Sequence, residues 1–252
     1  VEKPSTSPPS PHSPTRWTAN AFSWQRSLAV FVAAALAFYL GLMLNSLIAF
    51  KLLGTTAHDV TTNHLTWGIA VGQYVSYVPI LAVLVFGLPW ASGTSLRELG
   101  LRGFDGKTIR AGLLGAVAMY VTAEVFALLQ YQFTHQKPEE AALSLFNSTH
   151  DRALIAAFTL LATIVAPFME EFFFRGFLFN AFVRYLPFWA AAVISGAIFG
   201  LAHGSATAFL PLAASGVVLA YVYYRSGSLT ASMITHAVFN IVNVALLSVQ
   251  KT

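Results

Sequence analysis

The chain has 252 residues, of which hydrophobic types make up 56% and charged types only 10%. A soluble domain carries about 25% charged residues, so water is a poor solvent for this chain and lipid a good one. The formal net charge is +4. The basic residues stand between apolar runs, with no basic stripe interleaved with aromatics, so they read as topology signals and nucleic acid is not an expected partner. There are no cysteines, which excludes disulfides, thiolate zinc sites and a cysteine nucleophile.

Residues 1–26 are rich in Pro, Ser and Thr. Such a composition buries no core, so a disordered tail is expected. The first residue is Val, which fits either a fragment or an alternative start codon. After Arg26 comes Ser27–Leu53. This run is far longer than the roughly 7–15 apolar residues of a signal peptide, so it reads as a retained span.

A helix that crosses a bilayer needs about 20 predominantly apolar residues. The candidate spans are Ser27–Leu53, Leu65–Trp90, Ile109–Phe133, Ala153–Arg184, Phe188–His203, Ala206–Tyr224 and Leu229–Leu247. The expected fold is all-α, a polytopic transmembrane helix bundle of about seven spans filling residues 27–250. The fourth run exceeds what a bilayer requires and is expected to tilt or protrude. The fifth is short and ends near Gly204.

By alternation, Lys3, Arg16, Arg26, Arg97, Arg102, Lys107, Arg110, Arg184 and Arg225 fall on one side. Lys51, Lys137, Arg152 and Lys251 fall on the other. This bias puts the N-terminus in the cytoplasm and the C-terminus outside, and a multi-pass protein of a bacterial plasma membrane is expected. No internal repeat is visible, which argues against the inverted repeats common in transporters.

Ionisable residues inside spans cost about 2.5–3.5 kcal/mol each on insertion scales and default to functional candidates. The densest cluster is Met169-Glu170-Glu171-Phe172-Phe173-Phe174-Arg175. Glu171 and Arg175 are four apart, share a helix face and can pair, with the Glu favourably first. Glu170 is rotated by about 100° and is free to face a cavity. The plainer reading is a structural ion pair with a chance neighbour.

A second cluster, Phe199-Gly200-Leu201-Ala202-His203, ends the fifth run with His203 on the face of Phe199. In a third, His236 and Asn240 are again four apart on one face. Alone, either cluster is as well explained by hydrogen bonding between helices. Together the three supply a base, a second proton carrier and oxyanion donors.

Glu124, within the third run, either borders the cavity or bonds a neighbouring helix. Glu139 and Glu140 sit beside a Pro in a connection and read as a solvated pair. His12, His58, His64, His135 and His150 fall in the tail or connections and indicate no site.

Taken in order, Glu170-Glu171-x-x-x-Arg175, Phe199-x-x-x-His203 and His236-x-x-x-Asn240 resemble the CPBP family. That family covers type II CaaX prenyl endopeptidases and bacterial bacteriocin-processing or Abi-type membrane proteases. The likeness spans residues 153–247, and Leu96-Arg-Glu-Leu-Gly-Leu-Arg102 looks like the family's preceding loop. The resemblance implies that Glu170 activates water with help from His203, that His236 and Asn240 stabilise the oxyanion, and that Glu171 and Arg175 support the site, as Phe199 does.

The expected function is therefore intramembrane hydrolysis of peptide bonds in membrane-associated or lipidated peptides. No cofactor is expected, because His-Glu-x-x-His is missing, though two His and one Glu keep zinc as the alternative. A non-catalytic scaffold or immunity protein and a proton-coupled transporter are the competing functions. Substrate is expected to enter a funnel open to the cytoplasm, on the side of the Arg97–Arg110 connection, with a lateral gap towards lipid.

Overall fold

The computed structural model describes residues 23–136 and 148–250, with side chains to residue 247. Most of the expected tail, Glu139 and Glu140 lie outside the described residues. No strand occurs among the described residues. The expected runs become α1 (Trp24–Leu52), α3 (Trp67–Ser92), α4 (Gly106–Thr134), α5 (Arg152–Val183), α6 (Phe188–Ala202), α7 (Phe209–Ser226) and α8 (Leu229–Gln250). A short α2 (Ala57–Thr61) lies in the first connection. Five of the long helices, α1, α3, α4, α5 and α8, are long and apolar enough to cross a membrane, and α6 is a shorter apolar helix.

Helix ends follow local chemistry. Ser23 caps α1 by accepting the Arg26 N–H, so the helix starts three residues before the expected Ser27. Thr56 and Asp59 form a reciprocal capping box on α2. Asp105 accepts the Thr108 N–H at 2.7 Å and starts α4. Such bonds favour the charged carboxylate and hold the carboxyls of Asp59 and Asp105 below their ordinary range.

The bundle is apolar outside and holds its polar groups inside, the reverse of a soluble fold. Leu36, Leu114 and Val117 are 67%, 61% and 64% exposed, whereas Glu171, Arg175, Asn180 and Ser232 are each 0% exposed. Lipid gives no hydrophobic drive between helices, so close packing of small residues must hold them together. α1 lies along α3 by such a ladder: Gly41 meets Ser76, Asn45 meets Gly72, and Ala49 meets Gly68. On α3 those residues recur every four positions, on one stripe. α6 and α7 approach in the same way. A Cβ on Gly216 would lie 2.7 Å from the Gly196 Cα, and one on Gly196 2.6 Å from the Ala213 carbonyl oxygen.

α5 is the hub, in contact with α3, α6, α7 and α8. It contains two π-helical stretches, Leu161–Val165 and Phe172–Phe179. Widened turns rotate the faces that follow and leave carbonyls for outside donors. The fully buried Asn180, on the next turn of the same helix, donates to the Arg175 and Gly176 carbonyls and to the Tyr223 phenol. Tyr223 in turn donates to the Leu99 carbonyl at 2.7 Å.

The connection between α3 and α4 is thereby locked to the bundle. The Leu229 N–H donates to the Gly100 carbonyl, and Thr230 Oγ1 bonds both the N–H and the carbonyl of Arg102. Gly100 has φ +103°, and a Cβ there would lie 2.9 Å from the Gly227 carbonyl oxygen. The Leu96–Arg102 motif thus braces the start of α8, the helix that carries His236 and Asn240.

Candidate active site

Glu170 and Glu171 sit on the α-helical turn between the two π stretches of α5. Glu171 is saturated with donors. Arg175 Nη1 reaches its Oε1 at 2.7 Å, His236 Nδ1 lies 3.0 Å from the same oxygen, and Ser232 Oγ donates to Oε2. Arg175 is held in place from its other side, where Nη2 donates to the Gly216 carbonyl at 2.9 Å and the guanidinium lies 4.8 Å from the Phe199 ring centre. Three donors thus converge on the Glu171 carboxylate.

Glu170 differs. Its Oε2 is buried with no hydrogen-bond partner. His203 Nε2 lies 3.9 Å away and His236 Nε2 3.8 Å away. Both distances exceed a direct hydrogen bond. The other ring nitrogens fix the imidazoles. His203 Nδ1 faces the Phe199 carbonyl at 2.8 Å, and His236 Nδ1 faces Glu171. A carbonyl and a carboxylate can only accept, so each Nδ1 carries the proton. A neutral ring then turns the Nε2 lone pair towards Glu170. Phe199, fully buried, packs beneath both rings at 4.7 and 5.7 Å.

The structure therefore brings Glu170, Glu171, Arg175, Phe199, His203 and His236 into one cluster. Asn240 lines the same space but is partly engaged: its amide donates to the Ala162 carbonyl at 2.8 Å, within the first π stretch. One N–H of its carboxamide remains for another acceptor. Glu124 stands apart. It is exposed on α4 and lines neither cavity at the cluster.

Two cavities meet at Glu170. One, of about 440 Å³, is apolar and is walled by Phe31 and Phe38 of α1, Ile80 of α3 and Phe173 of α5. The other, of about 260 Å³, reaches past His236 and Asn240 to Ile69 and Phe158. Ile69 and Phe158 lie towards the end of the bundle where Trp67 bonds Asp151 and the Leu65 N–H bonds Ser148. The Leu96–Arg102 brace is at the other end. No residue of the Arg97–Arg110 connection lines either cavity. The cavity past His236 and Asn240 thus extends towards the end of the bundle opposite that connection.

Sequence reasoning did not find Ser232, Gln73 or Tyr77. Ser232 was within reach of the same logic, since Ser232, His236 and Asn240 recur every four residues on α8. Gln73 is an uncharged polar residue in a long apolar span and was overlooked because it carries no charge.

Comparison with known proteins agrees with this geometry. Residues 152–242 match the family model of type II CAAX prenyl endopeptidase Rce1-like proteins. The chain is 23% identical over 206 residues to "Putative membrane peptidase YdiL" of Bacillus subtilis (strain 168), covering 80% of this chain and 83% of that protein. No solved structure matches the chain significantly. The three motifs meet in one cluster inside the matched segment, and the two likenesses support a membrane peptidase of the CPBP type.

Proposed function

We propose that the chain is an intramembrane endopeptidase that hydrolyses membrane-associated or lipidated peptides with a water activated by Glu170. The observation that carries this reading is the buried, unpartnered Glu170 Oε2 between two imidazole Nε2 atoms. Gaps of this length suit a bridging water rather than direct bonds.

In this reading the water gives a proton to Glu170 as its oxygen attacks the scissile carbonyl carbon. His203 accepts the water's second hydrogen at Nε2 and orients it. The proton held by Glu170 then passes to the leaving nitrogen, and the C–N bond breaks to give an amine and a carboxylic acid, whose proton passes back to the Glu170 carboxylate. The oxyanion formed on the way is held by the second N–H of Asn240 and, when His236 is an imidazolium, by its Nε2–H. Glu171 balances that imidazolium, and Arg175 holds Glu171 in register. No metal is part of the reading, because Glu170 as a metal ligand would leave the site without its base. The charge bias supports a cytoplasmic N-terminus in a plasma membrane.

The test is a proteomic comparison of membrane peptides in cells carrying the wild-type chain and the Glu170→Gln variant. Peptides cut only in the wild-type cells, with their uncut precursors accumulating in the variant, are expected. Identical peptide populations in cells that contain equal amounts of both proteins would refute the reading.

A further inference from the structure

Four residues line both cavities, and all four are polar: Glu170, His203, Gln73 and Tyr77. The first two belong to the family motifs. The other two come from α3, outside the segment that matches the family model. A bond cleaved at Glu170 must lie in the waist that these residues share, so Gln73 and Tyr77 form the wall facing the base. They are four apart and share one helix face.

Their orientation is set from behind. Asn45 of α1, lodged against Gly72, donates its amide to Gln73 Oε1 at 3.4 Å. The Gln73 oxygen is thus turned away from the waist and its NH2 towards it. Gln73 lies against the Tyr77 phenol, which is also close enough to the Glu170 carboxylate to interact with it electrostatically. Tyr74 provides an internal comparison. Its O–H is spent on the Ala157 carbonyl at 2.7 Å, which anchors α3 to α5. Among the described residues no carbonyl accepts the Tyr77 O–H.

The site is short of donors for an oxyanion. Asn240 has committed one N–H to Ala162, and His236, whose Nδ1–H is spent on Glu171, can donate from Nε2 only as an imidazolium. We propose that Tyr77 supplies the missing donor: its O–H hydrogen-bonds the scissile carbonyl oxygen from the α3 side, with Gln73 and Asn45 holding the phenol in line. This rests on the reading of the site as a peptidase. As the carbonyl becomes an oxyanion the bond strengthens, so the phenol acts on the transition state more than on binding.

The experiment uses the full chain in lipid nanodiscs and an internally quenched peptide carrying an S-farnesyl cysteine, the substrate class in the matched family's description. Tyr77→Phe is expected to lower kcat by about 100-fold, as loss of one oxyanion donor does, with KM within about threefold of wild type. Gln73→Leu, which keeps the phenol but frees it, is expected to lower kcat by a smaller factor. A Tyr77→Phe enzyme with wild-type kcat, or one changed in KM alone, overturns the inference. If Tyr77→Phe does not fold, Gln73→Leu decides, and wild-type kcat there overturns it. Glu170→Gln keeps the two claims apart. If it turns over the probe, or if the wild type leaves the probe intact, the peptidase reading fails and this inference with it. If only Tyr77 proves dispensable, the peptidase reading stands.

Discussion

Replacing Arg175 by Met tests how the site is held together. Met keeps most of the apolar stem and removes the guanidinium. Glu171, 0% exposed, then loses the 2.7 Å ion pair, and the Gly216 carbonyl loses its donor. Removing one partner of a buried ion pair costs about 3–5 kcal/mol, because the remaining charge is left uncompensated. His236 and Ser232 still donate to Glu171. The expected cost is therefore at the low end, about 3 kcal/mol. At about 2–4 °C per kcal/mol for a chain of this size, the unfolding midpoint should fall by roughly 6–12 °C. Thermal unfolding of the purified protein in detergent, followed by intrinsic fluorescence, measures this. The double variant Glu171→Gln/Arg175→Met removes both charges and should recover most of the loss. If Arg175→Met unfolds within about 1 °C of wild type, or if the double variant is simply the sum of two independent losses, Arg175 is not the counter-charge of Glu171.

Hydrolysis is expected to be independent of added metal. A strong chelator should leave turnover of the quenched peptide unchanged, whereas loss that stoichiometric zinc restores would make the two histidines and Glu170 metal ligands. The direction of the inner cavity is open to labelling, since the native chain has no cysteine. With an impermeant maleimide, Ile69→Cys and Gly103→Cys are expected to react from opposite faces of the membrane, and reaction from the same face would refute the cavity's course.

Much of the molecule was legible in the sequence because lipid makes local composition decisive. Each apolar run must satisfy its own backbone within itself, so the positions of all seven long helices follow from hydropathy, with ends shifted by only a few residues. Contacts within one helix were equally accessible. Glu171 and Arg175, or Phe199 and His203, are four apart, and the helical repeat alone places them on one face. The separation of Glu170 from that pair followed from the same repeat.

What a helix face meets is another matter, and periodicity carries no information about it. That Ser232 secures Glu171, that Asn240 gives one N–H to Ala162, and that Glu124 points out of the bundle all depend on how the helices are placed against one another. Tyr223 of α7 likewise meets Asn180 of α5 only because those two helices pack together. Charge concerns which loops face the cytoplasm and carries no information about where a cavity runs between helices. Gln73 and Tyr77 became part of the site only when the small-residue ladder between α1 and α3 set α3 against Glu170. Sequence determined which segments enter the membrane and which side chains share a helix face. Only the packing of α3, α5, α6 and α8 decided which of those faces meet, because contact between helices depends on side chains distant in the chain.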